Sequence, residues 1–268
     1  VREEFPGVTL IANETNNGFA KANNQALRRS EARYHLLLNP DTLVIDGALD
    51  KMVEYMETNK VHALTSKLLN GDRTLQKSVS NFFTLSSSFI ENRFFAEIFE
   101  KRKIESQKTN SFWDHQSTKE IDWAHGAVLM VSNELLEKVG LLDERFYIYA
   151  EEMDYYMRIR KAGYAAIYNA DISIIHYGKS SSRQRRHEMF IQNYKSFYLF
   201  LKKHYSRYVY PVYRTRTMIY LNGWILKFGL EFLFNSLRGK DSSEARTQIN
   251  VYYKTLLWHF NKESYVTL

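Results

Sequence analysis

The stretch Tyr34-His-Leu-Leu-Leu-Asn-Pro-Asp41 decides the fold. A short apolar run stopped by Pro40 reads as a central, buried strand running into a turn. Upstream, residues 8–12 predict a second buried strand, residues 13–17 a loop and residues 18–29 a helix. Downstream, Asp46 opens a helix whose Leu49, Met52, Val53 and Met56 share one face. Residues 61–64 read as a further strand, and Asn70-Gly71 as a hairpin turn. Alternating strands and helices predict an α/β fold, a mostly parallel sheet covered by helices.

Beyond this block, residues 79–118 are mixed and aromatic, with a basic run Lys101-Arg102-Lys103, and are expected to form an insertion of helix and loop. Order returns at Ile121 and in a strand over 127–131. Ser132 suits an N-cap for a short helix that Gly140 ends. A helix over 151–162 closed by Gly163 follows, then two strands, 165–168 and 172–176. Past Ser180 the pattern turns helical, basic and aromatic. The division expected is therefore an α/β part over 1–185 and a helical appendage over 186–268.

With 268 residues, 44% hydrophobic and 25% charged, the chain can bury one substantial core and carries no long disordered segment. The lack of cysteine excludes disulfides and thiolate metal sites and fits a reducing compartment. A net charge of +7 and a pI near 9.3 suit an anionic partner, with nucleic acid, anionic lipid and a phosphorylated substrate all open. The most apolar run, residues 223–234, is broken by Lys227 and Glu231 and falls short of the roughly 20 residues a membrane span needs. Val1-Arg-Glu-Glu-Phe5 reads as the last turn of a helix already under way, so the sequence is expected to open inside a domain.

Three places offer chemistry. Asn39-Pro40-Asp41 sits at the carboxyl end of a strand, where open α/β sheets bind ligands and a carboxylate can hold a cation. The same tripeptide is also ordinary turn chemistry. An acidic cluster, Asp143-Glu144 and then Glu151-Glu152-Met-Asp154, puts carboxylates at a helix start, where one can serve as general base. Acids there are equally explained by the helix dipole. His176 ends a β-branched run; across a cleft from Asp41 it would complete a divalent-metal site, although a lone histidine at a strand end is commonly structural. The loop 178–186, with Arg183, Arg185 and Arg186, suits closure over phosphates or a plain exposed basic loop.

Their order along the chain is more telling than each alone. Asn17-Gly18-Phe-Ala-Lys-Ala-Asn23-Asn24, Leu36 to Asp41, Asp122-Trp123-Ala-His125-Gly126, Gly140-Leu-Leu-Asp143-Glu144, Tyr149-Ala-Glu151-Glu152-Met-Asp154, Arg158 to Gly163 and His176 follow one another. This series resembles glycosyltransferase family 2, in particular its bacterial rhamnosyltransferase-like and galactofuranosyltransferase-like members, over roughly residues 1–185.

The resemblance implies a GT-A fold, that is, a Rossmann-like mixed sheet flanked by helices that binds nucleotide-diphospho-sugars, and an inverting, metal-dependent transfer. Asp41 matches the last acid of the family's Asp-x-Asp-type motif, a ligand of Mg²⁺ or Mn²⁺, with Asn39 where many relatives have an aspartate. His176 matches a histidine of the same metal site. Glu152 matches the second acid of the Glu-Asp pair, the catalytic base, with one methylene more than the common Asp. Glu151, Asp143 and Asp154 fall on the acceptor side, where Trp123, His125 and Gly126 also shape the pocket. Asn17, Gly18 and Asn23 fall on the donor side. Relatives begin with a strand-helix-strand of about 30 to 40 residues that is missing here, so an incomplete donor half is expected.

The function expected is transfer of a sugar from a dTDP- or UDP-linked donor to a glycan or lipid-linked acceptor, in cell-surface polysaccharide synthesis. It would take place in the cytoplasm or on the cytoplasmic face of a membrane. The alternative is a truncated, non-catalytic homologue that acts as a scaffold. In the tail, aromatic and basic residues beside apolar helix faces suit peripheral membrane contact or packing on protein. No nucleic-acid motif is present, and no nucleic-acid partner is expected.

Overall fold

The computed structural model describes residues 1–84, 113–178 and 186–261, which divide into two compact units, 1–180 and 181–268. The basic run 101–103 and the loop 179–185 lie outside the described residues.

In the first unit, β1 (Tyr34–Leu38) buries His35 and Leu37 on one face, as strand alternation requires. It pairs antiparallel with β8 (Val128–Ser132), Leu36 opposite Met130. All five residues of β8 are buried, so β8, not β1, is a central strand. On its other side β8 meets β3 (Ala63–Leu69), again antiparallel, and β3 runs parallel to β9 (Ala166–His176). The last strand in line is β2 (Thr42–Val44), antiparallel to β9. Two short strands join the margins, β4 (Leu75–Gln76) on β3 and β6 (Lys119–Ile121) on β9. A separate ribbon joins β5 (Val79–Ser80) to β7 (Trp123–Ala124).

Only β3–β9 is parallel among the described pairs, so the sheet is mixed rather than mostly parallel. Local alternation marks the strands but not their neighbours: β8, reached after residues 79–118, inserts between β1 and β3. The strand expected over 8–12 does not form; Val8 and Leu10 are exposed and pair with no described strand. The two strands expected over 165–168 and 172–176 are one, β9, which changes register against β3 between Ser66 and Lys67. Asn169 carries the chain through, its side-chain oxygen accepting from the N–H groups of Asp171 and Ile172 at 2.8 and 3.2 Å.

Among the described residues, four helices cover the sheet. α1 (Phe19–Leu27) follows Gly18. α2 (Ala48–Asn59) starts two residues after Asp46, because Asp46 and Gly47 take left-handed φ values of 53° and 66°. Its Ala48, Met52 and Met56 join Leu64, Val128 and Ile174 in the core, where emptying one Met side chain costs about 2–5 kcal/mol. α3 (Asn133–Val139) is capped by Ser132 Oγ, which accepts from Leu135 N–H at 3.1 Å, and ends at Gly140 with φ 81°. α4 (Glu151–Lys161) ends before Gly163, φ 86°.

The second unit is helical: α5 (Arg186–His204), α6 (Val209–Leu237) and α7 (Ser243–Phe260). Trp224 and Phe228 of α6 stack on Tyr252 of α7. Several buried polar groups are matched there. Tyr198 donates to His259 Nε2 at 2.7 Å, His259 Nδ1–H donates to Thr255 C=O, and Arg214 donates to the carbonyl of His259. No described helix is long and apolar enough to cross a membrane.

Candidate active site

Two of the residues singled out in sequence are neighbours at one end of the sheet. Thr42 faces His176 in the β2–β9 ladder, and Tyr177 N–H donates to Asp41 C=O at 2.9 Å. That pairing brings Asp41 Oδ1 to 3.3 Å from His176 Nε2. The imidazole is held from behind: His176 Nδ1–H donates to Gln76 Oε1 at 2.7 Å. The amide of Gln76 is oriented in turn, its NH₂ donating to the carbonyl of His176 and to Asn70 Oδ1. Nδ1 is thereby the protonated nitrogen, and Nε2 turns a lone pair to the side of Asp41.

A carboxylate and an oriented imidazole are donor types that a divalent ion accepts. No group of three or more His, Asp or Glu forms a complete cage among the described residues. Asn39 spends its backbone on the turn, its N–H on Ala127 C=O and its C=O on Thr42 Oγ1.

The carboxylates of α4 form a second centre. Glu151 is buried, and the Oε2 atoms of Glu151 and Glu152 are closed to solvent without a hydrogen-bond partner. Burial pushes both carboxyls up, and the charge of Glu152 pushes Glu151 further. The turn that delivers them is strained: Tyr149 and Ala150 take φ values of 70° and 62°, unusual for residues with a Cβ. The Tyr149 hydroxyl is raised by burial and by the two glutamates.

Gly126 borders Glu152 so closely that a Cβ there would stand 3.6 Å from Glu152 Cβ and 3.8 Å from the ring of Phe19. Beside it, His125 is depressed by burial and by the nearby His176. Its N–H is fixed on Ser78 C=O and its ring lies 5.5 Å from that of Trp123, whose indole N–H donates to Asn81 C=O. His125 and Gly126 thus lie between the Asp41–His176 pair and the glutamates.

α1 closes the same region. Phe19 N–H donates to Tyr147 C=O at 2.9 Å, and Gly18 takes φ 79° with its missing Cβ aimed at that carbonyl. Asn17 immediately precedes this contact.

Three other expected site residues have partners within the fold. Asn23 donates to Phe19 C=O of its own helix, Asp143 is gripped by Arg145, and Asp154 is buried against Arg158 at 2.9 Å. Arg158 also donates to the carbonyls of Val139 and Leu141, tying α4 to the end of α3. The residue that fastens α1 is Asn24, fully buried, which exchanges hydrogen bonds with the N–H and C=O of Leu142 and donates to Glu144. Its spacing of four from buried Ala20 was the signal for it; Gln76, a hundred positions from His176, left none.

The described first unit is thus a mixed sheet flanked by helices, with its polar centres at one sheet end and at the head of one helix. Residues 1–118 match the family described as Glycosyl transferase family 2. The N-acetylglucosaminyl-diphospho-decaprenol L-rhamnosyltransferase of Mycobacterium tuberculosis is 29% identical over 90 residues, 34% of this chain and 29% of that one. The rhamnosyltransferase WbbL of Escherichia coli K12 is 25% identical over 69% of this chain and 70% of its own length. A mannosyltransferase from Pyrobaculum calidifontis, solved with GDP-Man and Mn²⁺, overlays with a TM-score of 0.46 at 18% identity, covering 75% of this chain and 48% of that one. In its matches the chain is similar to glycosyltransferase family 2 and to rhamnosyltransferases, and it spans less than a third of the mycobacterial relative's length.

Proposed function

We propose that this chain is an inverting glycosyltransferase that moves a sugar from a nucleotide-diphosphate donor to a hydroxyl of a glycan or lipid-linked acceptor. The observation that carries the reading is Glu152: a carboxyl oxygen shielded from water, unpaired, raised in proton affinity and bordered by a glycine that leaves room at its side. A carboxylate so placed is a better proton acceptor than an exposed one, as a general base requires. It takes the proton of the acceptor hydroxyl as that oxygen attacks the anomeric carbon from the side opposite the leaving nucleotide, which inverts the configuration.

Glu151, also raised, limits the charge that the pair carries together. Asp41 and His176 are the residues to hold Mg²⁺ or Mn²⁺, and such an ion supplies charge neutralisation for a departing diphosphate. Trp123, beside His125, offers an aromatic face for a sugar ring. The names of the relatives, one an L-rhamnosyltransferase of an N-acetylglucosaminyl-diphospho-decaprenol, support a lipid-linked acceptor; a dTDP- or UDP-linked donor, used at the cytoplasmic face in surface-polysaccharide synthesis, completes the reading.

Calorimetric titration of the protein with UDP and dTDP, with and without Mn²⁺, tests the donor half. Binding that needs the metal and fails in Asp41→Ala is expected. Transfer from a matching sugar nucleotide, read by the anomeric configuration of the product, tests the rest. Metal-dependent nucleotide binding without transfer to any acceptor would favour a scaffold instead.

A further inference from the structure

The side of α6 opposite its packed face carries Val212, Ile219, Leu226, Leu230, Leu233 and Leu237, all exposed, with Ile219 at 69%, Leu226 at 65% and Leu237 at 87%. Steps of seven, four and three residues set all six on one side of a helix, whereas Leu221 and Trp224 are buried on the other. The stripe spans 26 residues, roughly 37 Å at about 1.5 Å rise per residue. Six large aliphatic side chains in one line exceed the scattered apolar exposure normal for a soluble surface.

Charge indicates what covers it. Residues 181–268 hold 15 Lys and Arg against five Asp and Glu, whereas residues 1–180 hold 22 against 25. The whole positive excess of the chain therefore belongs to the unit that bears the stripe. Glu231 is the one acid within α6, and Lys227, Arg238 and Lys240 accompany its leucine-rich end. Lys227 lies over the Trp224 ring at 4.5 Å and Arg238 over Phe234 at 3.8 Å, so long basic stems stand beside apolar and aromatic surface. A second copy pressed on the same stripe would bring together two strongly positive units with almost no acid to pair them.

We propose that this face of α6 docks in the plane of an anionic lipid bilayer, its aliphatic stripe in the acyl boundary and its cations among the headgroups. This surface is independent of the reading of the glutamates and of Asp41.

Flotation of the full chain with vesicles of phosphatidylcholine, with and without phosphatidylglycerol, tests it. The expected result is binding to the anionic vesicles that weakens as salt is raised, and a loss of about tenfold or more in the double variant Leu230→Glu, Leu233→Glu. Should circular dichroism show that variant to be unfolded, Leu226→Ser and Leu237→Ser, at exposed positions, carry the same comparison with a smaller loss. No binding to anionic vesicles overturns the proposal, as does equal binding by wild type and the folded variants. It is also overturned if sedimentation shows a wild-type dimer that these substitutions convert to monomer, because the stripe then belongs to a second copy.

Discussion

Replacing Glu152 by Gln should abolish transfer and, at neutral pH, stabilise the fold. The two effects have one origin. Glu152 places a carboxyl oxygen out of reach of water with no donor to compensate it, close to a second carboxyl, that of Glu151. Its proton affinity in the folded chain is therefore raised by burial. The folded state binds a proton that the unfolded state has released, so stability falls as pH rises from the ordinary carboxylate value toward the raised one, and the deficit is fully developed above it. Each tenfold rise in proton affinity corresponds to about 1.4 kcal/mol. Allowing for the shared titration with Glu151, a gain on the order of 2 kcal/mol is expected for Glu152→Gln at pH about 8, and little gain at pH about 5. Thermal melts of both proteins at the two pH values give the difference, and a turnover assay gives the activity, expected to fall about 10²- to 10⁴-fold with nucleotide binding retained. A variant that turns over at the wild-type rate, or one whose stability difference from wild type does not grow with pH, refutes the reasoning.

Asn24→Ala should lower unfolding free energy by about 2–4 kcal/mol, because it strands the N–H and C=O of buried Leu142 as well as Glu144; urea denaturation measures it. Gly18→Ala should destabilise by a similar 2–4 kcal/mol, roughly, since its Cβ would run into the Tyr147 carbonyl oxygen on a backbone with φ 79°; an unchanged melting temperature would show that α1 is not seated on Tyr147. Gln76→Leu should weaken Mn²⁺ binding about 10- to 100-fold without unfolding the chain, because it frees the imidazole of His176 to turn; isothermal titration of the metal reads this directly.

How far these sites could be read from sequence depends on the distance over which each is built. Ser132 and Gly140 announced α3 because caps act within a turn, and their geometry follows the expectation. Asn70-Gly71 likewise marked the β3–β4 hairpin, with Asn70 N–H on Thr74 C=O. Strand order was not legible, since nothing in residues 34–38 reveals that their partner is residues 128–132. Asp154 shows what sequence leaves out: as part of an acidic cluster it reads as site chemistry, and in the fold it also pairs, buried, with Arg158, which holds α4 on α3. A cluster of like charges in sequence separates in space because successive helix positions face different ways.

The pairing of Asp41 with His176 depends on a feature that the sequence concealed as two strands. Against β3, residues 166–169 of β9 face 63–66, but 173–175 face 67–69, so Ala170, Asp171 and Ile172 have no opposite residue. Three is an odd number. Because strand side chains alternate with period two, an odd insertion exchanges the faces of all that follows it relative to β3. The ladder with β2 then sets Thr42 opposite His176, and the turn at Asn39–Asp41 brings the carboxylate to the imidazole. Asn169, which accepts from Asp171 and Ile172, holds the irregular segment in shape from about seven residues away. The candidate metal pair therefore rests on a backbone device outside every motif that pointed to it, and strand register, rather than the local chemistry of Asp41 or His176, fixes their separation.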